Sequence, residues 1–235
     1  MRVLVTRPLH SGQRTARRLR DMGHEPVLLP LSRPVHDPVA ALTGLTNTDG
    51  AIAVTSAEAI HAIAARRTEL AAHFNRHLFA VGEATAAQAR AAGFRSVTPS
   101  GGSGNDLADA IAAKTHGPVL YLAGSPRAET FETRAGEVGL TVTVAESYRM
   151  EPVKVDAGML RSILAGGRLD AVLFYSRQTA ETFFHISEIE AHPDKVAGTR
   201  LLCLSASVAE AVPLFLRKNV GIAATPKECS LLSLL

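Results

Sequence analysis

An α/β fold is expected, made of two similar lobes with parallel sheets flanked by helices. Three observations predict it. Short apolar runs such as "RVLVT" (2–6) and "GAIAVT" (50–55) lack polar alternation, as strands buried on both faces do. Helical stretches separate these runs in regular succession. The second half of the chain also repeats the first, block by block.

"RVLVT" (2–6) is read as a strand, "SGQRTARRLRDMG" (11–23) as a helix with a glycine stop, and "EPVLLPL" (25–31) as a second strand. "GAIAVT" is followed by a helix from Ser56 towards Arg66. In "LFAVGEATAAQARAAGF" (78–94) the run Leu78 to Val81 turns at Gly82 into an Ala-rich helix closed by Gly93. A strand near Ser96 to Thr98 and a helix over "NDLADAIAAKT" (105–115) complete the first half.

"PVLYLAG" (118–124) then matches "RVLVTRP", with Val3 opposite Val119 and Gly23 opposite Gly139. "AIAVTSAEAIHAI" (51–63) matches "AVLFYSRQTAETF" (171–183), setting Ser56 opposite Ser176. "FAVGEATAAQA" answers "LCLSASVAEAV" (202–212), and "VTPSGGSGNDLADAI" answers "AATPKECSLLSLL". Four blocks in one order read as an internal duplication, and the groove between two such lobes is a common ligand site.

Two extended, proline-bearing stretches break the rhythm at matching places, "LPLSRPVHDP" (29–38) and "AESYRMEPV" (145–153). If both are crossings, residues 1–33 and 152–235 form one discontinuous lobe and residues 34–151 an inserted one. A simple tandem arrangement stays open on the residues alone.

Composition narrows the ligand. The 235 residues are 46% hydrophobic and 20% charged, with a net charge of +3. Three Tyr, eight Phe and no Trp provide no aromatic–basic interleaving, so no nucleic-acid partner is expected. The mild positive balance suits an acidic small molecule. Cys203 and Cys229 suggest no disulfide framework. No apolar run is long enough to span a membrane, and "MRVLVTRP" reads as a strand rather than a signal peptide, so a cytoplasmic protein is expected.

The usual catalytic signatures are missing. "TRPLHSG" after the first strand is not a dinucleotide-binding turn, and "GGSGNDL" (101–107) lacks the Lys-Ser/Thr of a phosphate loop. His73 and His77 stand four apart but read as a solvated helix end, without a third ligand nearby. Neither cysteine sits in a nucleophile-like context. Neither dinucleotide binding nor metal or covalent catalysis is expected.

What remains is a set of hydroxyls and N–H groups where strands end: Thr6 and Arg7, Thr55 and Ser56, Gly82 and Thr85, Ser125 and Arg127, Ser176, Ser205 and Ser207. Ligands of parallel sheets bind beyond the carboxyl ends of strands, beside helix N-termini. Taken singly, each Ser or Thr is more often a helix cap, and Glu83 and Thr85 read equally as caps of their helix. Taken together on two lobes, they suggest a polyanion held largely by neutral donors, with Arg7 and Arg127 as the cations. Arg14, Arg17, Arg18 and Arg20 read as a solvated helix face. Tyr148 lies in a suspected crossing, as a core tyrosine or as a phenol that reaches the groove.

In this order and spacing, "RVLVTRP", "VTSAEA", "FAVGEATAAQARAAGF", "SYRMEPV" and "LFYSRQTAETF" resemble uroporphyrinogen-III synthases over essentially the whole chain. The resemblance implies two α/β lobes joined by two extended strands, with the middle of the chain inserted. It implies conversion of hydroxymethylbilane, a linear tetrapyrrole polycarboxylate, to uroporphyrinogen III. Water is lost, the terminal ring is inverted and the macrocycle closes, with no cofactor. It matches Tyr148 to the family's candidate proton donor and Thr85 to the Thr of its "VG-x-A-T-A" turn. The partner turn departs from the pattern: Ser205 replaces Gly and Val208 replaces Thr in "SASVA", leaving Ser207 to take over the hydroxyl one position away. A monomer is expected. The rival reading is a two-lobed binding paralogue that performs no chemistry.

Overall fold

A computed structural model describes the backbone of residues 1–235 and every side chain except that of residue 157. The chain runs β1 (Arg2–Val5), α1 (Leu9–Asp21), β2 (Glu25–Leu28), β3 (Ser32–His36), α2 (Pro38–Asn47), β4 (Ala51–Val54), α3 (Ala57–Ala64) and α4 (Arg67–Leu70). It continues through β5 (His77–Val81), α5 (Gly82–Ala92), β6 (Ser96–Ser100), α6 (Gly104–Ala112), β7 (Val119–Ser125), α7 (Thr130–Glu137) and the long β8 (Val142–Pro152). Last come α8 (Ala157–Ala165), β9 (Ala171–Phe174), α9 (Arg177–Phe184), α10 (Ser187–Ala191), β10 (Arg200–Cys203), α11 (Ala206–Ala209), β11 (Val220–Ile222) and α12 (Glu228–Leu232). The α/β class expected from the apolar runs is what the chain adopts.

Two compact units result, residues 1–33 with 151–235 and residues 34–150. The first holds a sheet in the order β11-β10-β9-β1-β2, and the second is built on the order β3-β8-β7-β4-β5-β6. In the first sheet every neighbouring pair is parallel. The duplicated blocks are exchanged between the sheets: β1 pairs with β9 (Val3↔Ala171), while β7, its counterpart, pairs with β4 (Val119↔Ala51).

Each sheet is covered on both faces, which is why its strands need no polar residues. In the first unit Leu4, Val172, Phe174, Leu201 and Cys203 fill one face, and Val3, Val5, Ala171, Leu173 and Leu202 the other. In the second, Ile52, Val54, Leu78 and Leu120 face one way and Ala53, Phe79, Val119 and Tyr121 the other. Among the described residues, no helix is long and apolar enough to cross a membrane.

Several boundaries differ from the sequence reading. The helix expected at 11–23 spans Leu9–Asp21, because Pro8 takes the position before it and Gly23, at φ 79°, ends it. The strand expected over 25–31 ends at Leu28, although Leu29 and Leu31 still donate to Val5 O and Thr6 O. His77 is no helix end: it opens β5, stacks on Phe79 with centroids 4.2 Å apart and bonds Thr98 Oγ1 at 2.8 Å. Cys229 lies in α12. The "GGSGNDL" stretch serves a capping box, in which Ser103 and Asp106 satisfy each other's backbone N–H groups at the start of α6.

Candidate active site

In an open parallel sheet the crevice for a ligand opens where successive connections diverge. In the second unit the chain moves from β4 to β5 and β6 on one side, and from β7 to β8 on the other, so that point lies between β4 and β7. Thr55 and Ser56 directly follow β4, Ser125 ends β7, and β8 contributes Tyr148 beside it.

The side chains there are joined. Thr55 Oγ1 and the Tyr121 hydroxyl lie 3.0 Å apart. Ser56 caps α3 by accepting the Glu58 N–H at 3.2 Å, and its hydroxyl lies near the Tyr148 phenol. The Tyr148 ring lies against the bare backbone of Gly124, where an added Cβ would stand 2.3 Å from Cζ. The register of β7 and β8 shifts between Ala123 and Gly124, which sets Tyr148 opposite this glycine. Burial pushes the Tyr148 phenol above its ordinary pKa; the nearby Ser56 hydroxyl counters this, and the Glu58 carboxylate adds to it. The result is a neutral phenol, a hydrogen-bond donor at pH 7.

Arg127 is not a free cation. Its Nε and Nη2 donate to Glu132 Oε1 at 3.0 and 2.8 Å, and its Nη1 to Glu146 at 2.8 Å. Ser125 precedes it across a cis peptide to Pro126. At the next strand, Gly82 starts α5 at φ 73°, a conformation that suits glycine, and Thr85 is buried one turn on. Neither Thr85 nor Glu83 caps α5: the position before it is Val81, which has no side-chain cap bond, and Glu83 pairs with Arg90 instead.

The equivalent point of the first unit lies between β1 and β9, and it is filled from within. Arg7 Nη1 and the Tyr175 hydroxyl donate to Glu228 Oε1 at 2.8 and 3.0 Å. Thr15 donates to the same oxygen, and Arg18 pairs with Oε2. The Arg7 guanidinium also sits 4.1 Å above the Tyr175 ring centre. Arg7, expected as a substrate cation, is therefore already paired, and Arg18 is not merely solvated. Thr6 is buried and donates to Leu173 O at 2.7 Å. Ser176 caps α9, accepting the Thr179 N–H at 3.2 Å. Ser205 precedes α11 without a side-chain cap bond, and Ser207 is exposed on that four-residue helix.

Thus the fold sets Thr55, Ser56 and Tyr148 at one end of the second sheet, with Thr55 bonded to Tyr121 and Tyr148 against Gly124, and it joins Arg7 with Tyr175 in the first unit. Sequence reasoning missed Tyr121, Glu58, His36, His61 and Glu228. For Glu58 a signal existed, since it stands two residues past Ser56 with His61 three further on.

A family model described as "Uroporphyrinogen-III synthase HemD" matches residues 13–233. The chain belongs to the uroporphyrinogen-III synthase family. Uroporphyrinogen-III synthetase from Helicobacter pylori 26695 matches in structure with TM-score 0.68 at 18% identity, covering 100% of this chain and 98% of that one. A mutant uroporphyrinogen III synthase from Thermus thermophilus matches with TM-score 0.57 at 18% identity, over 99% and 96% of the two chains. At these identities the likeness speaks for the synthase fold alone. No curated protein sequence matches the chain.

Proposed function

We propose that the chain is an active uroporphyrinogen-III synthase, converting hydroxymethylbilane to uroporphyrinogen III without a metal or organic cofactor. One observation carries this reading beyond family membership: the Tyr148 phenol is seated against Gly124 at the switch point of its sheet, where burial holds it neutral.

In the proposed reaction Tyr148 donates its proton to the departing hydroxyl. The C–O bond breaks with its electron pair on oxygen, water leaves, and an azafulvenium cation remains. The substituted carbon of the terminal pyrrole attacks that cation to give a spiro intermediate. The bond from that carbon to its original methylene bridge then breaks, leaving a second azafulvenium cation on the neighbouring ring; the unsubstituted carbon of the terminal pyrrole attacks its methylene and loses a proton that the tyrosinate takes back. Free bilane can close without inversion, so holding one folded conformer supplies most of the selectivity. The Thr55 and Ser56 hydroxyls and the N–H groups at the start of α5 are the neutral donors we assign to substrate carboxylates, with Thr85 beside them. Arg7 and Arg127 take no direct part, being committed to Glu228 and to Glu132 with Glu146.

The test is an isomer assay. Hydroxymethylbilane is generated in situ, the purified protein is added, and oxidised products are separated by chromatography. Predominantly type III product is expected with chelator present. Only type I product from folded protein would remove the catalytic reading in favour of a binding paralogue, which the uncapped, four-residue α11 after Ser205 favours.

A further inference from the structure

The first turn of α3 carries a carboxylate that the reaction above leaves idle. Glu58 has a side chain only 14% exposed, and its backbone N–H is the donor that Ser56 accepts. Its Oε2 accepts from His36 Nε2 at 3.0 Å and lies 3.4 Å from His61 Nδ1. His61 comes from the same helix, and His36 from β3, the strand next to β8. The carboxylate is therefore held from two elements. Asp37, next to His36, donates its N–H to Ser147 O at 2.8 Å, so the strand that anchors the carboxylate is bonded to β8 one residue before Tyr148.

A carboxylate is an odd group to place beside a site for a polyanion. It weakens substrate binding by repulsion, and a neutral residue would cap α3 no worse, since the Ser56 hydroxyl does the capping. Its benefit lies later in the reaction. When Tyr148 protonates the leaving hydroxyl, the organic fragment gains a positive charge that persists until the last proton is lost. A fixed negative charge near that point favours the cation over the neutral bilane, which is stabilisation of the transition state rather than of the ground state. Burial strengthens the effect, because little water remains to screen it. The carboxylate is held by His36 of β3, the strand beside β8, and by His61 of α3; burial first, and this charge after it, push the Tyr148 phenol above its ordinary pKa.

We infer that Glu58, anchored by His36 and His61, supplies the negative charge that stabilises the azafulvenium cation formed next to Tyr148. This rests on the synthase reading. It makes the site two-part, a neutral phenol to drive water out and an anion to hold the cation left behind.

Glu58→Gln tests it, since the amide keeps the size and hydrogen bonds of the carboxylate. Turnover should fall about tenfold or more, while KM stays level or drops because repulsion of the substrate carboxylates is gone. Glu58→Asp should restore part of the turnover. A purely structural Glu58 would instead raise KM or leave both constants alone, and either result overturns the inference. A second readout needs no substrate. The chain has three Tyr and no Trp, so phenolate absorbance is readable, and Glu58→Gln should shift one tyrosine to ionise at lower pH. An unshifted titration shows that Glu58 does not act on Tyr148 and overturns the inference while leaving the synthase reading intact. If the wild-type protein makes no type III product, the synthase reading fails and the inference falls with it, whatever the titration shows.

Discussion

Gly124 provides the seat for Tyr148: a methyl group there would stand 2.3 Å from the ring's Cζ and 2.4 Å from its hydroxyl oxygen. No real contact is that short, so the ring and a larger residue 124 exclude each other. Gly124→Ala should expel the phenol from its place beside Ser56. We expect type III formation to fall about as far as it does on removing the phenol, with about 1–3 kcal/mol lost from stability through overpacking. Isomer assays and urea unfolding check both; undiminished turnover would show that the seat is unnecessary.

Removing the hydroxyl alone is the milder change. Tyr148→Phe keeps the ring against Gly124 and deletes only the hydroxyl. Turnover should slow by roughly ten- to a hundredfold, and stability should change by about 1 kcal/mol or less. Single-turnover kinetics at saturating substrate separate the effect from binding. An unchanged rate takes Tyr148 out of the chemistry.

Glu228 governs acid stability in the first unit. Burial alone would raise its pKa, but the Thr15 hydrogen bond, Arg7, Tyr175 and Arg18 together draw it below the ordinary carboxylate range. A lowered folded-state value makes the carboxylate stabilising above its unfolded pKa of about 4.3. That stability is lost as the pH falls through the folded value. Glu228→Gln should therefore cost about 1–3 kcal/mol at pH 7 and flatten the fall in stability below about pH 5. Urea unfolding across that range gives the slope; an equally steep fall in the variant would assign acid sensitivity elsewhere.

Arg76 stitches the end of α2 to the start of β4. Its guanidinium donates to Gly50 O at 2.8 Å, to Leu45 O and Thr48 O at 2.9 Å each, and to Thr48 Oγ1 at 3.0 Å. Lysine keeps the charge but cannot span four acceptors with one ammonium. Arg76→Lys should lower stability by about 2–4 kcal/mol and leave product isomer and KM unchanged. A stability loss too small to measure would mean that solvent replaces these bonds freely.

Much of the fold is legible because its signals are local. The apolar runs ending at Val5, Val54 and Phe174 form strands, and Gly23 and Gly93 mark helix ends through their positive φ. The site is legible only in part. Ser56 and Thr55 can be placed because they follow a strand directly. Glu228 cannot, since it meets Arg7 across 221 positions and no local pattern announces such a pairing. The same holds for His36, which reaches Glu58 because β3 lies at a sheet edge beside β8. Arg7 and Arg127 mislead for one reason: a cation after a strand looks available until the fold supplies its carboxylates.

The exchanged pairing of β1 with β9 also bears on how the protein is made. Val3, Leu4 and Val5 are fully buried, yet their neighbour on one side, Ala171 to Leu173, leaves the ribosome far later. At about 5–20 residues per second the first strand waits roughly 10–30 s for that partner. Residues 34–150 form the other unit from one continuous stretch, which is synthesised entirely within that interval. Until then β1 offers only β2 for pairing, and its open edge is a template for another chain. The unit that holds β1 is therefore completed only after the inserted one, and until then the unpaired edge of Val3–Val5 is an aggregation hazard.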